Sequence, residues 1–319
     1  MAKQTSNLVL YGALAANGGI AVAKFVAAGI TGSSAMLTEG FHSVVDSFNE
    51  LLLLYGKRRA ARPADADHPF GYGRELYFWS LVVALLIFAV GAGFSIYEGA
   101  VHLLHPEPLR DPTINYVVLG VAFALEAGSW WLAMRSTRAA RRELGLAAFL
   151  RQVRDPSNVI VLLEDSAALL GIVLAAAGIL ATQLTGDALW DGAASIAIGL
   201  VLATVATLLA RMSKALLIGE PPDPRMDADI RRRVLAMPGV TGVNHMRAIH
   251  TGPQQVFVAM SVDFDDAMTV GVLERRLAEL RSELLQRWPS ISGIYIRPES
   301  GKGGEGGAGG IATADAPEK

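Results

Sequence analysis

Apolar positions run unbroken for long stretches over the first two thirds of the chain and alternate over short periods in the last third. Six apolar runs cover about 8–30, 35–55, 77–104, 113–134, 158–184 and 188–212. Each approaches or exceeds the ~20 residues needed to cross a bilayer, which predicts six spanning helices. The second run is the least apolar, as expected for a helix with one face buried in a bundle. Gly and Ala recur within the runs (Gly18, Gly19, Gly29, Gly91, Ala175, Ala176) and permit close helix packing in lipid.

Beyond the sixth run the pattern changes. The segment 219–224 is proline-rich and polar and reads as a linker. A helix is expected over 225–237, closed by Pro238-Gly239, then strands over 240–249 and 255–264. Val256, Val258, Met260 and Val262 alternate on the second strand. Leu273, Leu277, Leu280 and Leu284 give an amphipathic helix over 268–287, and a last strand follows at 291–296. The expected fold class is therefore a membrane all-α six-helix bundle followed by a small α+β domain of order αββαβ, with a ferredoxin-like half. The domains are expected at 1–7 (a stub), 8–218 (the bundle), 219–298 (the α+β domain) and 299–319 (a disordered Gly-rich tail).

Loop charges set the orientation. Lys57, Arg58, Arg59, Arg62 and Arg74 follow the second run; Arg135, Arg138, Arg141, Arg142, Arg151 and Arg154 follow the fourth. The loops after the first and fifth runs carry no Lys or Arg, and the loop after the third carries only Arg110. Basic residues mark the cytoplasmic side, which puts both termini there. No secretory signal is evident at the N-terminus.

Composition narrows the class. Of 319 residues, 52% are hydrophobic and only 18% charged, against roughly 25% for soluble domains. Mean hydropathy is +0.36. A net charge of −2 gives no basic field for nucleic acid, and the absence of cysteine excludes disulfides and thiolate metal sites. A metal here must be held by His, Asp, Glu or Asn. No GxxxxGK[ST] phosphate loop is present.

The polar exceptions inside the apolar runs carry the chemistry. His42 and Asp46 stand four apart in the second run and share one helix face. An ionisable group costs roughly 2.5–3.5 kcal/mol at the centre of a spanning helix, so it is rarely there without a task. Glu164 and Asp165 are adjacent in the fifth run, at a compatible depth. His42, Asp46 and Asp165 are therefore candidate ligands of one dication, with Glu164 a fourth ligand, a second carboxylate behind the site or a proton carrier. Imidazole and carboxylate without sulfur suit Zn²⁺ and also Mn²⁺, Fe²⁺ or Co²⁺. The competing view is that these groups are interhelical hydrogen bonds holding the bundle. Asn17 is an accessory candidate or packing glue. Glu39 is an accessory candidate for an entry path, although exposure at a membrane rim explains both it and Glu50. Glu98 and Glu126 either line a cavity or make structural hydrogen bonds. Outside the membrane, His68 with Asp65 and Asp67, and His245 with His250, are possible metal sites or ordinary surface histidines.

Taken together, these residues resemble the cation diffusion facilitator family, whose pattern is an H/D-x-x-x-D pair on the second helix facing another on the fifth. Further matching marks are Lys24, Gly32-Ser33-Ser34, His68-Pro-Phe-Gly-Tyr-Gly-Arg74-Glu75, Tyr97-Glu98-Gly99, His105-Pro106, Asp191-Gly-Ala-Ala-Ser195 and Gly239-Val-Thr-Gly-Val243. The departure is Val161, which stands where the second pair would begin, while Asp165 keeps its second place. Glu164-Asp165-Ser-Ala-Ala-Leu-Leu-Gly171 and Arg74-Glu-Leu-Tyr-Phe-Trp79 resemble the branch typified by zinc transporter 9. The resemblance implies a homodimer in a lipid bilayer, joined through its C-terminal domain and its membrane bundle. It also implies a bacterial inner membrane and export of a divalent cation, zinc first, in exchange for protons. The rivals are a non-transporting membrane scaffold with structural acids and an intramembrane hydrolase; the latter lacks a nucleophile arranged by a base.

Overall fold

The computed structural model describes residues 2–106, 108–138, 142, 156–253 and 255–300. The expected tail beyond residue 300, and the basic positions 141, 151 and 154, lie outside the described residues. The chain divides into two compact units, Met1–Ile218 and Gly219–Lys319.

Among its described residues the first unit is built of helices joined by short loops. Helix α1 (Ala2–Thr31) begins inside the expected stub and ends where Gly32 takes a φ of 74°, a conformation open to a residue without Cβ. Ser33 then caps α2 (Ser34–Ala60) by accepting from the Met36 amide. The third run forms one rod in three parts: α3 (Glu75–Leu86), a π-helical turn (Ile87–Ala92) and α4 (Gly93–Leu104). The wide turn re-phases the faces on either side of it. Helices α5 (Thr113–Ser136), α6 (Pro156–Thr185) and α7 (Leu189–Ile218) complete the unit.

Among the described residues, four segments are long and apolar enough to cross a membrane: Glu75–Leu104, Thr113–Arg135, Val159–Thr185 and Leu189–Ile218. The apolar stretch Asn17–Thr31 of α1 is shorter, and α2 is interrupted by Glu39, Asp46 and Glu50. Small residues let the helices touch. A Cβ on Gly99 of α4 would lie 2.7 Å from the Gly192 carbonyl of α7, and one on Gly199 of α7 would lie 2.6 Å from Ile96 of α4. Alanines of α1, α6 and α7, with Met36, Val45 and Leu53 of α2, fill the interior.

The second unit has the expected order. Helix α8 (Pro224–Leu235) precedes β1 (Val240–Gly252) and β2 (Gln255–Phe264), an antiparallel pair in which Met246 faces Met260. Helix α9 (Val270–Arg287) carries the chain across to β3 (Ile291–Pro298), which pairs parallel with β2. The sheet order is β1-β2-β3. Val256, Val258, Met260 and Val262 all point inward and meet Ile230 and Val234 of α8 and Leu280 and Leu284 of α9.

Candidate metal centre

Helix α2 carries the central pair. His42 Nδ1 lies 3.4 Å from Asp46 Oδ1, one turn away. The imidazole is only 2% exposed, and neither ring nitrogen has a hydrogen-bond partner among the described residues; Asp46 Oδ1 also lacks one. Such unsatisfied buried groups are costly and call for an explanation.

Helix α6 brings Glu164 and Asp165 alongside. Asn49, one turn beyond Asp46 on α2, donates to Glu164 Oε1 at 2.8 Å. Ser129 of α5 donates to Asp165 Oδ2 at 2.9 Å. Together the helices enclose a cavity of about 90 Å³. Asn17 of α1, Asp46 and Glu50 of α2, Glu126 and Ser129 of α5, and Val161, Glu164 and Asp165 of α6 lie on its wall. Asn17 donates to Glu50 at 3.0 Å, so its accessory place is at the cavity through that carboxylate. A neighbouring pocket of about 10 Å³ touches Asp46, Glu126, Asn17 and Ser43.

The predicted residues are thus only partly gathered. Asp46, Glu164 and Asp165 share one wall. His42 does not line it and reaches the cavity only through Asp46. Among the described residues no three His, Asp or Glu side chains close into a ready-made metal cluster. The cavity offers oxygen donors and room, a chemistry that fits a divalent cation with part of its water shell.

Glu39 is not exposed, so the expected exposure at a membrane rim does not hold. It is fully buried and pairs with Lys24 of α1 at 2.8 Å, and the same ammonium donates to Ser43 at 2.8 Å. Its carboxylate sits against Gly171 of α6, where a Cβ would collide with it. Glu50 is half-buried on the cavity wall, so rim exposure does not explain it either.

The sites outside the bundle stay apart. His68 is exposed in the loop after α2, stacked on Tyr72 with ring centres 4.2 Å apart and with Nδ1 3.7 Å from Asp65. Asp65 accepts from the Tyr72 hydroxyl and the His68 amide, and these bonds, the hydroxyl first, hold its carboxyl below the usual range. On β1 His245 is exposed and His250 is buried, five residues away, so the two face opposite sides and do not share an ion.

For several contributors the sequence gives no structural role. Lys24 stood among the matching marks, but its partner fifteen residues on in another helix could not be read from spacing. Asn49 follows Asp46 by three and shares its face, a signal that was available. Asp191 at the start of α7 is buried and takes the Ser33 hydroxyl at 2.7 Å and the Ser34 and Ala35 amides, fixing the N-terminus of α2.

Comparison with known proteins decides the family. The model of the cation efflux transmembrane domain matches residues 10–218. The chain belongs to the cation efflux family. This is a family of transporters, not enzymes. The chain is 34% identical over 260 residues to the proton-coupled zinc antiporter SLC30A9, mitochondrial, of Xenopus laevis, covering 81% of this chain and 46% of that one. It therefore spans about half the length of the first curated relatives it matches. It is 28% identical to the cation-efflux pump FieF of Serratia proteamaculans, covering 91% of this chain and 92% of the relative. A solved MamM CTD in a cadmium form is 22% identical, at a TM-score of 0.23, and covers 24% of this chain and 95% of that one.

Proposed function

We propose that this cation efflux protein exports a divalent metal, zinc first, in exchange for protons. Six crossings alternate the access of one site, with both termini in the cytoplasm of a bacterial cell. The protein works as a homodimer in the inner membrane, joined through the C-terminal unit and the bundle. The observation that carries the reading is the cavity that Asp46, Glu164 and Asp165 share inside the helical unit. Carboxylates around so small a volume in low dielectric require positive charge, supplied by a dication or by protons. Both go to the same oxygen atoms, so release of one accompanies uptake of the other. Relatives named as a proton-coupled zinc antiporter and a cation-efflux pump support the same reading. Asp46→Ala should abolish zinc-dependent proton flux in proteoliposomes. Flux at the wild-type rate in that variant would end the proposal.

A second reading keeps the mechanism and changes the cargo. Because His42 stands off the cavity wall, the donors facing the space are oxygen atoms, which favours manganese or iron, or cobalt, over a tetrahedral zinc site. Competition between these ions for uptake into the same vesicles separates the two. The hydrogen bonds from Asn49 and Ser129 are what a structural scaffold would also show. Stoichiometric metal binding that is lost in His42→Ala would set the scaffold reading aside.

A further inference from the structure

Helix α6 presents Val161 and Asp165 on one face, four residues apart, and both line the cavity. Valine offers no donor, so this face brings one ligand fewer than two polar residues would. Helix α5 packs on α6 and faces the same space with Glu126 and Ser129, three residues apart. Ser129 is already used as the donor to Asp165. Glu126 is not: among the described residues its carboxylate has no hydrogen-bond or ion-pair partner, and it borders two hollows that touch Asp46. Glu39 and Glu164, by contrast, are tied to Lys24 and Asn49.

Acids on a wall do not by themselves make a site. Independently of them, the imidazole of His42 is 2% exposed, unpaired by any hydrogen bond at both nitrogens, and directed at Asp46 on the cavity wall. A buried ring with no hydrogen bond, 3.4 Å from the carboxylate of Asp46, marks a place where something further belongs. From this arrangement we infer that Glu126 is a ligand of the transported dication and fills from α5 the position that Val161 leaves without a donor. The inference rests on the transport reading above and names one more residue of its site. The coordination it describes draws on three helices, α2, α5 and α6, so metal binding ties α5 to the other two. Its donors are oxygen-rich, and the set should accept manganese as well as zinc.

The test is metal binding to the purified full chain in detergent, with Zn²⁺ and Mn²⁺ titrated separately by calorimetry. Glu126→Gln keeps the shape and removes the charge; it should weaken binding of both ions by about tenfold or more. Val161→His in the Glu126→Gln background should restore zinc more than manganese, because imidazole suits zinc. Loss in Glu126→Gln with no recovery in the double variant would mark a carboxylate that supports the fold, and would overturn the assignment. Asp46→Asn, run in parallel, separates two failures. If it abolishes binding while Glu126→Gln leaves binding unchanged, Glu126 is no ligand and the transport reading stands. If neither variant alters binding, the transport reading itself falls.

Discussion

The two units of this chain treat charge in opposite ways. In the helical unit Lys24, Glu39, Glu164 and Asp191 are buried, while Val22, Val117 and Leu132 are more than half exposed. In the C-terminal unit no Asp, Glu, Lys or Arg among the described residues is buried, and the charges of α8 and α9 are exposed or half-buried. The exposed apolar residues of the first unit fit lipid as solvent; the surface charges of the second fit water. An exposed ion pair such as Arg276–Glu279 therefore carries little information about function. A buried one such as Lys24–Glu39 carries much, because the desolvation of both groups has to be offset there.

The sharpest way to break this comparison is to remove one member of the buried pair. Lys24→Met leaves the Glu39 carboxylate enclosed against Gly171 without its cation. The expected loss is about 3–5 kcal/mol of stability. Adding Glu39→Gln should recover most of it, since removing both charges also removes the unpaired one. Thermal unfolding of the full chain in detergent measures each variant. A single variant as stable as wild type would mean that the pair is not ionic. The matching change at the surface, Arg276→Ala, should be far milder.

The origin of the two patterns also explains what could be read in advance. Alternation on β2 was legible because one face of a strand is buried and the period is two. The apolar runs were legible because lipid selects composition over twenty residues at a time. The π-helical turn at Ile87–Ala92 was not, since the surrounding run is apolar on every side. Within the site, the spacing of His42 and Asp46 revealed that they share a face but not which neighbours that face meets. Hence spacing alone predicts both Asp46 and His42 on the site, whereas Asp46 lines the cavity and His42 sits behind it, and spacing gives Glu126 no single role. Sequence position alone suggests a rim for Glu39 because the position of Lys24 in space is a tertiary fact.

Helix contacts give a second, smaller contrast. Gly99→Ala would set a methyl 2.7 Å from both the Gly192 carbonyl and Ile196, and α4 and α7 must part to admit it. A loss of about 1–3 kcal/mol is expected, even though alanine favours a helix. Gly271→Ala in α9 meets nothing within 4 Å and should stabilise by about 0.4–1 kcal/mol. Unfolding midpoints of the two variants should therefore shift in opposite directions. Shifts of the same sign would show that Gly99 is not a close-packing position.

The smallest effect is expected from pH at the surface of the C-terminal unit. Asp229 of α8 is lifted by partial desolvation, but the Trp288 indole N–H at 3.1 Å and the Arg233 guanidinium at 3.1 Å outweigh this and hold its carboxyl below the ordinary range. A carboxyl depressed in the folded state binds protons less readily than the same group in the unfolded chain. Its contribution is therefore complete above the ordinary carboxylate range and is lost as pH falls through that range to the folded value. Amide hydrogen exchange of α8 and β1 in the full chain, at neutral pH and near pH 3, reads this locally. Asp229→Asn should reduce protection at neutral pH and leave a shallower dependence on acid. If the variant keeps the wild-type dependence, the carboxylate is not what holds α8 to Trp288, and the surface charges of this unit do even less than water-exposed pairs are expected to do.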